Sequence, residues 1–154
     1  LDSRIGLKTE MAHREAPRSP LFKPWMRGRC EEVLECVAAV QQGNWETVGQ
    51  LAELDSIRLH AITMSGSRKN KLFAWEPENI TLFRACNAMR SAGIPVYFST
   101  DTGPTTVFIT HKEHVEAVMA RLRELDIELE PVVGEIAGPV QSLEIEEAKI
   151  ALGI

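Results

Sequence analysis

The chain has 154 residues, of which 17 are Lys or Arg and 22 are Asp or Glu, so its formal net charge is −5. Apolar residues make up 44 % of the chain, which is enough to build a core and argues against an intrinsically disordered protein. The acidic balance, with no basic stripe interleaved with aromatic residues, argues against a nucleic-acid-binding protein. No apolar run approaches the roughly 20 residues that a transmembrane helix needs.

The first third of the chain predicts one strand, one loop and one helix. Residues 1–12 have mixed polarity and are interpreted as a strand, over 1–7, that leads into a loop. Residues 13–24 contain three prolines and several basic side chains, a pattern typical of a loop. A helix is predicted over 28–42, because its apolar residues recur with the period that an amphipathic helix turns toward a core: Cys30, Val33, Leu34, Val37 and Val40.

Two further helices are predicted before the first clear strand signal. Asn44 is expected to cap a helix over 45–63, whose apolar stripe is interrupted by Asp55 and Ser56. A polar segment over 65–74 is interpreted as a mobile loop. A third helix over 77–92 starts with Pro77 in its first turn and ends at Gly93.

The clearest β pattern lies between residues 96 and 109. Two runs rich in β-branched and aromatic residues, 96–100 and 105–109, flank the short segment 101–104 and predict a hairpin. Thr110 and Glu113 have the spacing of a capping box and predict a helix from there to about 126. The alternation over 127–133 predicts a strand, and 140–154 is interpreted as a short strand or an ordered extension.

Together these elements give the order β-(ααα)-β-β-α-β. Without the extra helices, this order is the split β-α-β unit of the ferredoxin-like plan. We therefore predict an α+β fold, with helices packed on one face of a mostly antiparallel sheet. The first residues, starting at Leu1, do not resemble a signal peptide, and we expect 1–154 to be one domain of a longer protein.

The three cysteines, Cys30, Cys36 and Cys86, have no zinc-site spacing. We interpret them as reduced, with Cys30 and Cys86 in apolar surroundings, as in a cytoplasmic protein. His111 and His114 have no partner at metal-ligand spacing, so we expect a solvated face and no metal site there.

The segment Asp101-Thr102-Gly103-Pro104 is the first candidate site. Gly103 allows another backbone or a ligand to come close, and Pro104 stiffens the turn. The alternative is structural: an Asx-turn in which Asp101 accepts local backbone N–H groups.

A second candidate is the helical set Asp55, Ser56 and His60, in which Ser56 and His60 share a face. Its alternative is a satisfied polar contact between helix and sheet. No nucleophile elbow precedes Ser56, which argues against a hydrolase triad. Ser3 and Arg4 offer a hydroxyl and a guanidinium suited to a phosphate group. There is no glycine-rich phosphate loop, and therefore no nucleotide cradle, in the sequence.

In order along the chain, these motifs resemble the C-terminal half of mevalonate diphosphate decarboxylases, which belong to the superfamily of galactokinase, homoserine kinase and mevalonate kinase. The resemblance covers about residues 2 to 125, and its most specific element is the turn at Asp101. The matching segments are Ser3-Arg4-Ile5-Gly6-Leu7, Ser19-Pro20-Leu21-Phe22, Asp55-Ser56 with His60-Ala61, and Thr100-Asp101-Thr102-Gly103-Pro104.

The resemblance implies a ferredoxin-like C-terminal domain packed against an N-terminal half that binds most of the ATP and Mg²⁺. It implies a cytoplasmic enzyme that phosphorylates the 3-hydroxyl of a mevalonate phosphate and then releases phosphate and carbon dioxide to give an isopentenyl product. Asp101 takes the catalytic role in that family, and Ser3 and Arg4 match positions near the substrate's phosphates and carboxylate. The resemblance is also compatible with a homodimer, in which a second copy of the enzyme is the partner.

Two residues depart from the family's usual Asp-Ala-Gly-Pro-Asn turn, because Thr102 and Thr105 stand in place of the Ala and the Asn. A phosphomevalonate decarboxylase or a mevalonate 3-kinase would share much of the same fold and motif order. The alternative from a different class is a free-standing ferredoxin-like module that binds a ligand.

Overall fold

In the computed structural model, the described residues are 9–69 and 71–135, with the single positions 138, 144, 145, 149 and 150. They form an α+β fold, as predicted. The helices are α1 (Thr9–Glu15), α2 (Phe22–Gln41), α3 (Trp45–Gly66), α4 (Pro77–Ser91) and α5 (Val115–Arg123); the strands are β1 (Val96–Thr100) and β2 (Thr106–Thr110); and the 3₁₀ turns are Ala16–Arg18 and Lys112–His114.

The two strands pair antiparallel, with Val96 opposite Thr110 and Thr100 opposite Thr106. The predicted hairpin is therefore confirmed, with β2 shifted by one residue. A buried apolar cluster joins β1 to α4 and α5, and it comprises Leu82, Cys86, Met89, Val96, Phe98, Val118 and Leu122. This cluster fixes the position of β1, the strand that leads into the turn at 101–104.

Side chains from two helices cover the edge of β1 that does not pair with β2. The Phe98 N–H donates to Glu53 Oε1 at 3.0 Å, and Arg90 Nη1 donates to the Val96 carbonyl at 2.9 Å. Glu53 Oε1 also accepts from Arg90 Nη1 at 2.5 Å. An uncovered edge strand is a template for unwanted pairing, and here α3 and α4 supply partners for these two backbone groups.

Helix α3 approaches β1 closely because it has a glycine at the crossing. A Cβ added to Gly49 would lie 2.3 Å from Cδ2 of the buried Tyr97. Asn44 caps this helix as predicted, since its side chain accepts from the Thr47 N–H. Gly93, with a φ of 84°, follows the end of α4 as the sequence predicts.

The loop predicted over 13–24 is wrong. Helix α1 occupies its start, a 3₁₀ turn holds Pro17, and α2 already begins at Phe22. Pro24 lies in the first turn of α2, where the backbone N–H has no helical partner to lose. The prolines therefore mark helix starts and a turn rather than one irregular segment.

The apolar stripe predicted for the helix over 28–42 faces solvent instead of the core. Leu34 is 68 % exposed and Val40 63 % exposed, and Cys30 is exposed too. The placement of Cys30 in apolar surroundings is therefore wrong, whereas Cys86 is fully buried. The side of α2 that meets α3 lies one residue away in register and includes the buried Ala39.

Two predictions in the last third of the chain are wrong: the helix cap at Thr110 and the strand over 127–133. Thr110 ends β2 and its hydroxyl donates to the Pro95 carbonyl at 2.6 Å, so it caps no helix. Residues 127–133 form no strand, since none of the described residues pairs with them. Ile127 and Leu129 nevertheless pack against the core cluster. The strand over 1–7 and most of the segment 140–154 lie outside the described residues.

Among the helices of the described part, none is long and apolar enough to span a membrane.

Candidate functional site at the β1–β2 turn

Asp101 follows directly after β1, and its side chain is exposed. Within the described ranges 9–69 and 71–135, no hydrogen bond to its carboxylate is found, so the Asx-turn alternative is not supported there. A Cβ added to Gly103 would meet no described atom within 4 Å. The turn therefore presents an exposed carboxylate, with no described atom close to Gly103, where the sequence left either another backbone or a ligand open.

The far side of the turn is fixed by a buried amide. Asn79 is fully buried, and its Nδ2 donates to the Pro104 carbonyl at 2.6 Å and to Thr106 Oγ1 at 2.9 Å. Its Oδ1 accepts from the Glu76 N–H at 2.7 Å, which ties the same side chain to the start of α4. A satisfied buried amide of this kind specifies one geometry, because breaking any of its bonds leaves a polar group unpaired.

The near side of the turn is fixed by two polar residues of α3. The Thr100 N–H donates to Ser56 Oγ at 3.0 Å, and His60 Nε2 lies 3.0 Å from Thr100 Oγ1. Ser56 and His60 are buried, which confirms the predicted contact between helix and sheet. The Thr100 hydroxyl in turn donates to the Asp101 carbonyl at 3.1 Å. Since Thr100 has one hydroxyl proton, this assigns the donor role in the first pair to His60 Nε2.

Burial lowers the pKa of His60 below its ordinary value of 6.5, although the backbone and the negative charge of Asp101 act in the opposite direction. The imidazole is thus neutral near pH 7 and serves as a hydrogen-bond donor. Trp75 covers it, with ring centroids 4.6 Å apart, and Trp75 packs against Phe83 in turn. His60 is therefore a positioning residue behind the strand end.

Helix α1 reaches the turn as well. Thr9 Oγ1 lies 2.8 Å from Thr102 Oγ1, which places the first described residue beside the residue after Asp101. Ser3 and Arg4, the predicted substrate-binding residues, lie outside the described residues. They precede Thr9 by six and five positions in the sequence.

Asp55 is separate from this site. It pairs with Arg29 of α2, and Trp25 Nε1 donates to its Oδ1 at 3.3 Å. Asp55, Ser56 and His60 therefore form no triad, in agreement with the sequence argument. His111 packs edge-on against Trp45 at 4.2 Å between centroids. Across the residues whose structure is described, no group of three acidic, His or Cys side chains could hold a metal ion.

Sequence reasoning assigned no structural role to two residues that shape this site. Asn79 carried a signal, because an amide three residues after Glu76, at the start of a proline-led helix, matches a capping pattern. Thr100 carried none, since a threonine at the end of a strand is ordinary. Its role depends on which helix packs beside it, and a local pattern does not contain that information.

Comparison with known proteins gives concordant results. No family model matches the chain. A phosphomevalonate decarboxylase of Haloferax volcanii is 34 % identical over 142 residues, which cover 92 % of this chain and 43 % of that protein. The chain thus spans less than half the length of this curated relative.

Solved structures share the fold. The MDDEF complex with MVAPP, AMPPCP and magnesium has a TM-score of 0.74 at 21 % identity, over 80 % of this chain and 38 % of its own. The mevalonate diphosphate decarboxylase of Streptococcus pyogenes has a TM-score of 0.72 at 19 % identity, over 80 % and 39 %. The match covers less than half of each of these solved chains. Together with the 34 % identical relative, it shows that the chain belongs to the mevalonate diphosphate decarboxylase family, as its motifs suggested.

Proposed function

We propose that residues 1–154 are the C-terminal domain of an ATP-dependent mevalonate diphosphate decarboxylase that makes isopentenyl diphosphate in the cytoplasm. The observation that carries this proposal is the exposed Asp101, held at a strand end by buried hydrogen bonds. In the reaction, the 3-hydroxyl of the substrate takes the γ-phosphoryl group of ATP. The new phosphate then leaves while the carboxylate is lost as carbon dioxide.

Asp101 is the proposed catalytic residue. A tertiary alcohol is a poor nucleophile, and a carboxylate within hydrogen-bond reach orients it and accepts its proton during phosphoryl transfer. Its exposure supports this role, and no described atom lies within 4 Å of a Cβ added to Gly103, where such a substrate would approach. The bonds from Ser56 and Asn79 support this role, because they fix both ends of the turn and so limit the carboxylate's freedom.

Ser3 and Arg4 are the proposed substrate-binding residues. A guanidinium fork binds phosphate or carboxylate oxygens with two parallel hydrogen bonds, which suits a polyanionic substrate. The contact between Thr9 and Thr102 supports their assignment, since Thr9, which follows Arg4 by five positions in the sequence, lies beside the proposed catalytic turn. A few placed cations are sufficient for this purpose, even in a chain with a net charge of −5.

ATP and Mg²⁺ are the proposed cosubstrate and metal, and the N-terminal domain of the enzyme would hold most of both. The described residues of this chain do not fit either one, because they contain no group of metal ligands and the sequence has no phosphate loop. The isolated chain should therefore bind ATP only weakly, and tight binding in a titration with the 154-residue chain would contradict this division of labour.

Mevalonate 5-phosphate is a second candidate substrate, favoured by the phosphomevalonate decarboxylase that is 34 % identical. A further candidate function is that of a 3-kinase, which phosphorylates the 3-hydroxyl and releases no carbon dioxide. The test is an assay of the complete enzyme, this chain joined to its N-terminal domain, with mevalonate, its 5-phosphate and its 5-diphosphate. Carbon dioxide and ADP released in equal amounts identify the decarboxylase substrate. ADP without carbon dioxide indicates the 3-kinase, and neither product on any of the three overturns the proposal in favour of a binding module.

A further inference from the structure

The positive charge of the chain is concentrated in two stretches of the sequence. Residues 16–30 and 56–75 contain eight of the 17 Lys and Arg residues and no Asp or Glu. The rest of the chain therefore carries nine cations and all 22 acidic residues. The net charge of −5 is thus the sum of a cationic part and a strongly acidic remainder, and it does not describe the field near any one site.

The fold brings the two cationic stretches together. A Cβ added to Gly66, at the end of α3, would lie 2.3 Å from the Glu15 carbonyl oxygen, so the two backbones touch there. Beside this contact, Ser19 Oγ lies 2.7 Å from Ser65 Oγ. The start of α2 and the segment after α3 are therefore neighbours, and cations that are far apart in the sequence share one part of the surface.

Most of these cations have no carboxylate partner. Three of the eight form ion pairs: Arg18, Arg29 and Arg58. The other five are exposed, and within residues 9–69 and 71–135 none of them pairs with a carboxylate. We call these five the cationic face: Lys23, Arg27, Arg68, Lys69 and Lys71.

Helix stability does not account for the cationic face. A cation just after a helix stabilises its last carbonyl groups, and this applies to Arg68 beyond the end of α3. Lys23, in contrast, lies in the first turn of α2, where the helix dipole is positive and a cation is unfavourable. Like charges that share a surface also repel one another, so the arrangement favours the approach of an anion.

The cationic face lies close to the turn at Asp101. His60 Nε2 is 3.0 Å from the hydroxyl of the residue that precedes Asp101. Arg68 follows His60 by eight residues, six of them in α3, which places its backbone roughly 15 Å from the turn. Lys71 begins the segment that leads to Trp75, whose ring covers His60. Both ends of this segment therefore adjoin the groups that support the turn.

We infer that the cationic face attracts a phosphate-bearing polyanion toward the turn at Asp101 through its long-range field. The inference rests on the proposed function, in which this polyanion is the mevalonate phosphate. Such a substrate carries about three negative charges on its carboxylate and phosphate groups. The attraction raises the rate of encounter, and salt weakens it, because the screening length falls from about 30 Å at 0.01 M to about 10 Å at 0.1 M ionic strength.

The first test is the salt dependence of kcat/KM in the complete enzyme that carries Arg68→Glu and Lys69→Gln. The assay uses whichever mevalonate phosphate the enzyme turns over. The two substitutions lower the charge of the face by three units. For a trianion roughly 15 Å away in water, kcat/KM should fall about fourfold at about 0.05 M ionic strength and less than about 1.5-fold at about 0.3 M, while kcat stays nearly constant.

The control is Lys112→Glu with Ser91→Glu, which changes the net charge by the same three units. Both exposed residues lie near the other end of the hairpin, where Val96 pairs with Thr110, roughly 20 Å from the turn. The control should lose less than about twofold at about 0.05 M. Equal losses in the two variants would overturn the inference. A loss that persists at about 0.3 M would also overturn it, because it indicates a direct contact and not a long-range field.

The second test needs no enzymatic activity and therefore separates this inference from the proposed function. Inorganic pyrophosphate is titrated into the 154-residue chain, and the amide resonances are followed by NMR. The shifts should be largest over 22–28 and 67–69 and should shrink as salt is added. Shifts that spread evenly over the cations of the chain, or that centre on another surface, would overturn the inference. Shifts on the cationic face, with no product from any mevalonate phosphate, would overturn the proposed function and support the attraction of phosphate-bearing anions.

Discussion

Replacing Ser56 with alanine tests whether α3 holds the end of β1. Ser56 Oγ accepts the Thr100 N–H at 3.0 Å, and both residues are about 95 % buried. The substitution leaves this N–H without a partner, at a cost of about 1–3 kcal/mol. Alanine in the middle of a helix returns about 0.5 kcal/mol. The free energy of unfolding should therefore fall by about 0.5–2.5 kcal/mol.

Urea unfolding followed by circular dichroism measures this change through the midpoint at a constant m-value. The control is Ser91→Ala, which removes an exposed helical hydroxyl bonded to the Asn87 carbonyl and should change stability by less than about 0.5 kcal/mol. Amide exchange adds a local readout, because the Thr100 N–H should exchange faster in Ser56→Ala. Equal stability of the two variants, with Thr100 exchange unchanged, would refute the reasoning.

Two further predictions concern the same turn. Gly103→Ala should change the free energy of unfolding by less than about 0.5 kcal/mol, because the φ of Gly103 lies outside the left-handed region and no described atom blocks a Cβ. In the complete enzyme, kcat/KM should nevertheless fall. An unchanged kcat/KM would show that no ligand approaches Gly103. The lowered pKa of His60 means that the unfolded chain takes up a proton first as pH falls below 6.5. The contribution of neutral His60 to the free energy of unfolding is complete above pH 6.5. It is lost as the pH falls toward the folded-state pKa, by at most about 1.4 kcal/mol per pH unit. Urea midpoints between pH 7.5 and 5 should show a shallower slope for His60→Gln than for the wild-type chain, and identical slopes would contradict a buried neutral imidazole.

Local signals in the sequence were sufficient for the hairpin and for the central helices. The two β-branched runs, the Asn44 cap and the glycine after α4 each act within a few residues, and all three predictions are confirmed. The prolines over 13–24 led to the wrong prediction of a loop, because proline disrupts a helix interior but is tolerated in a first turn. The sequence shows the prolines but not which turn of a helix they will occupy.

Predictions that depend on distant partners were the ones that failed. The period of α2 was correct, but the direction of its apolar face was not, since a helical period gives the spacing of the apolar residues and not the surface that they meet. The alternation over 127–133 likewise brought Ile127 and Leu129 to the core without forming a strand. At the candidate site, the turn could be predicted from its residues, whereas the bond from His60 through Thr100 to Asp101 required the packing of α3 on β1.

The most direct test of the account is Asp101→Asn in the complete enzyme. Asparagine keeps the size of the side chain and removes the carboxylate that accepts the proton of the 3-hydroxyl. ATP-dependent release of carbon dioxide should fall by at least about 1,000-fold, while the dissociation constant for the mevalonate phosphate changes little. The control is Asp126→Asn, an exposed carboxylate after α5 that should keep full activity. Turnover by Asp101→Asn close to that of the control would contradict the catalytic role of this turn.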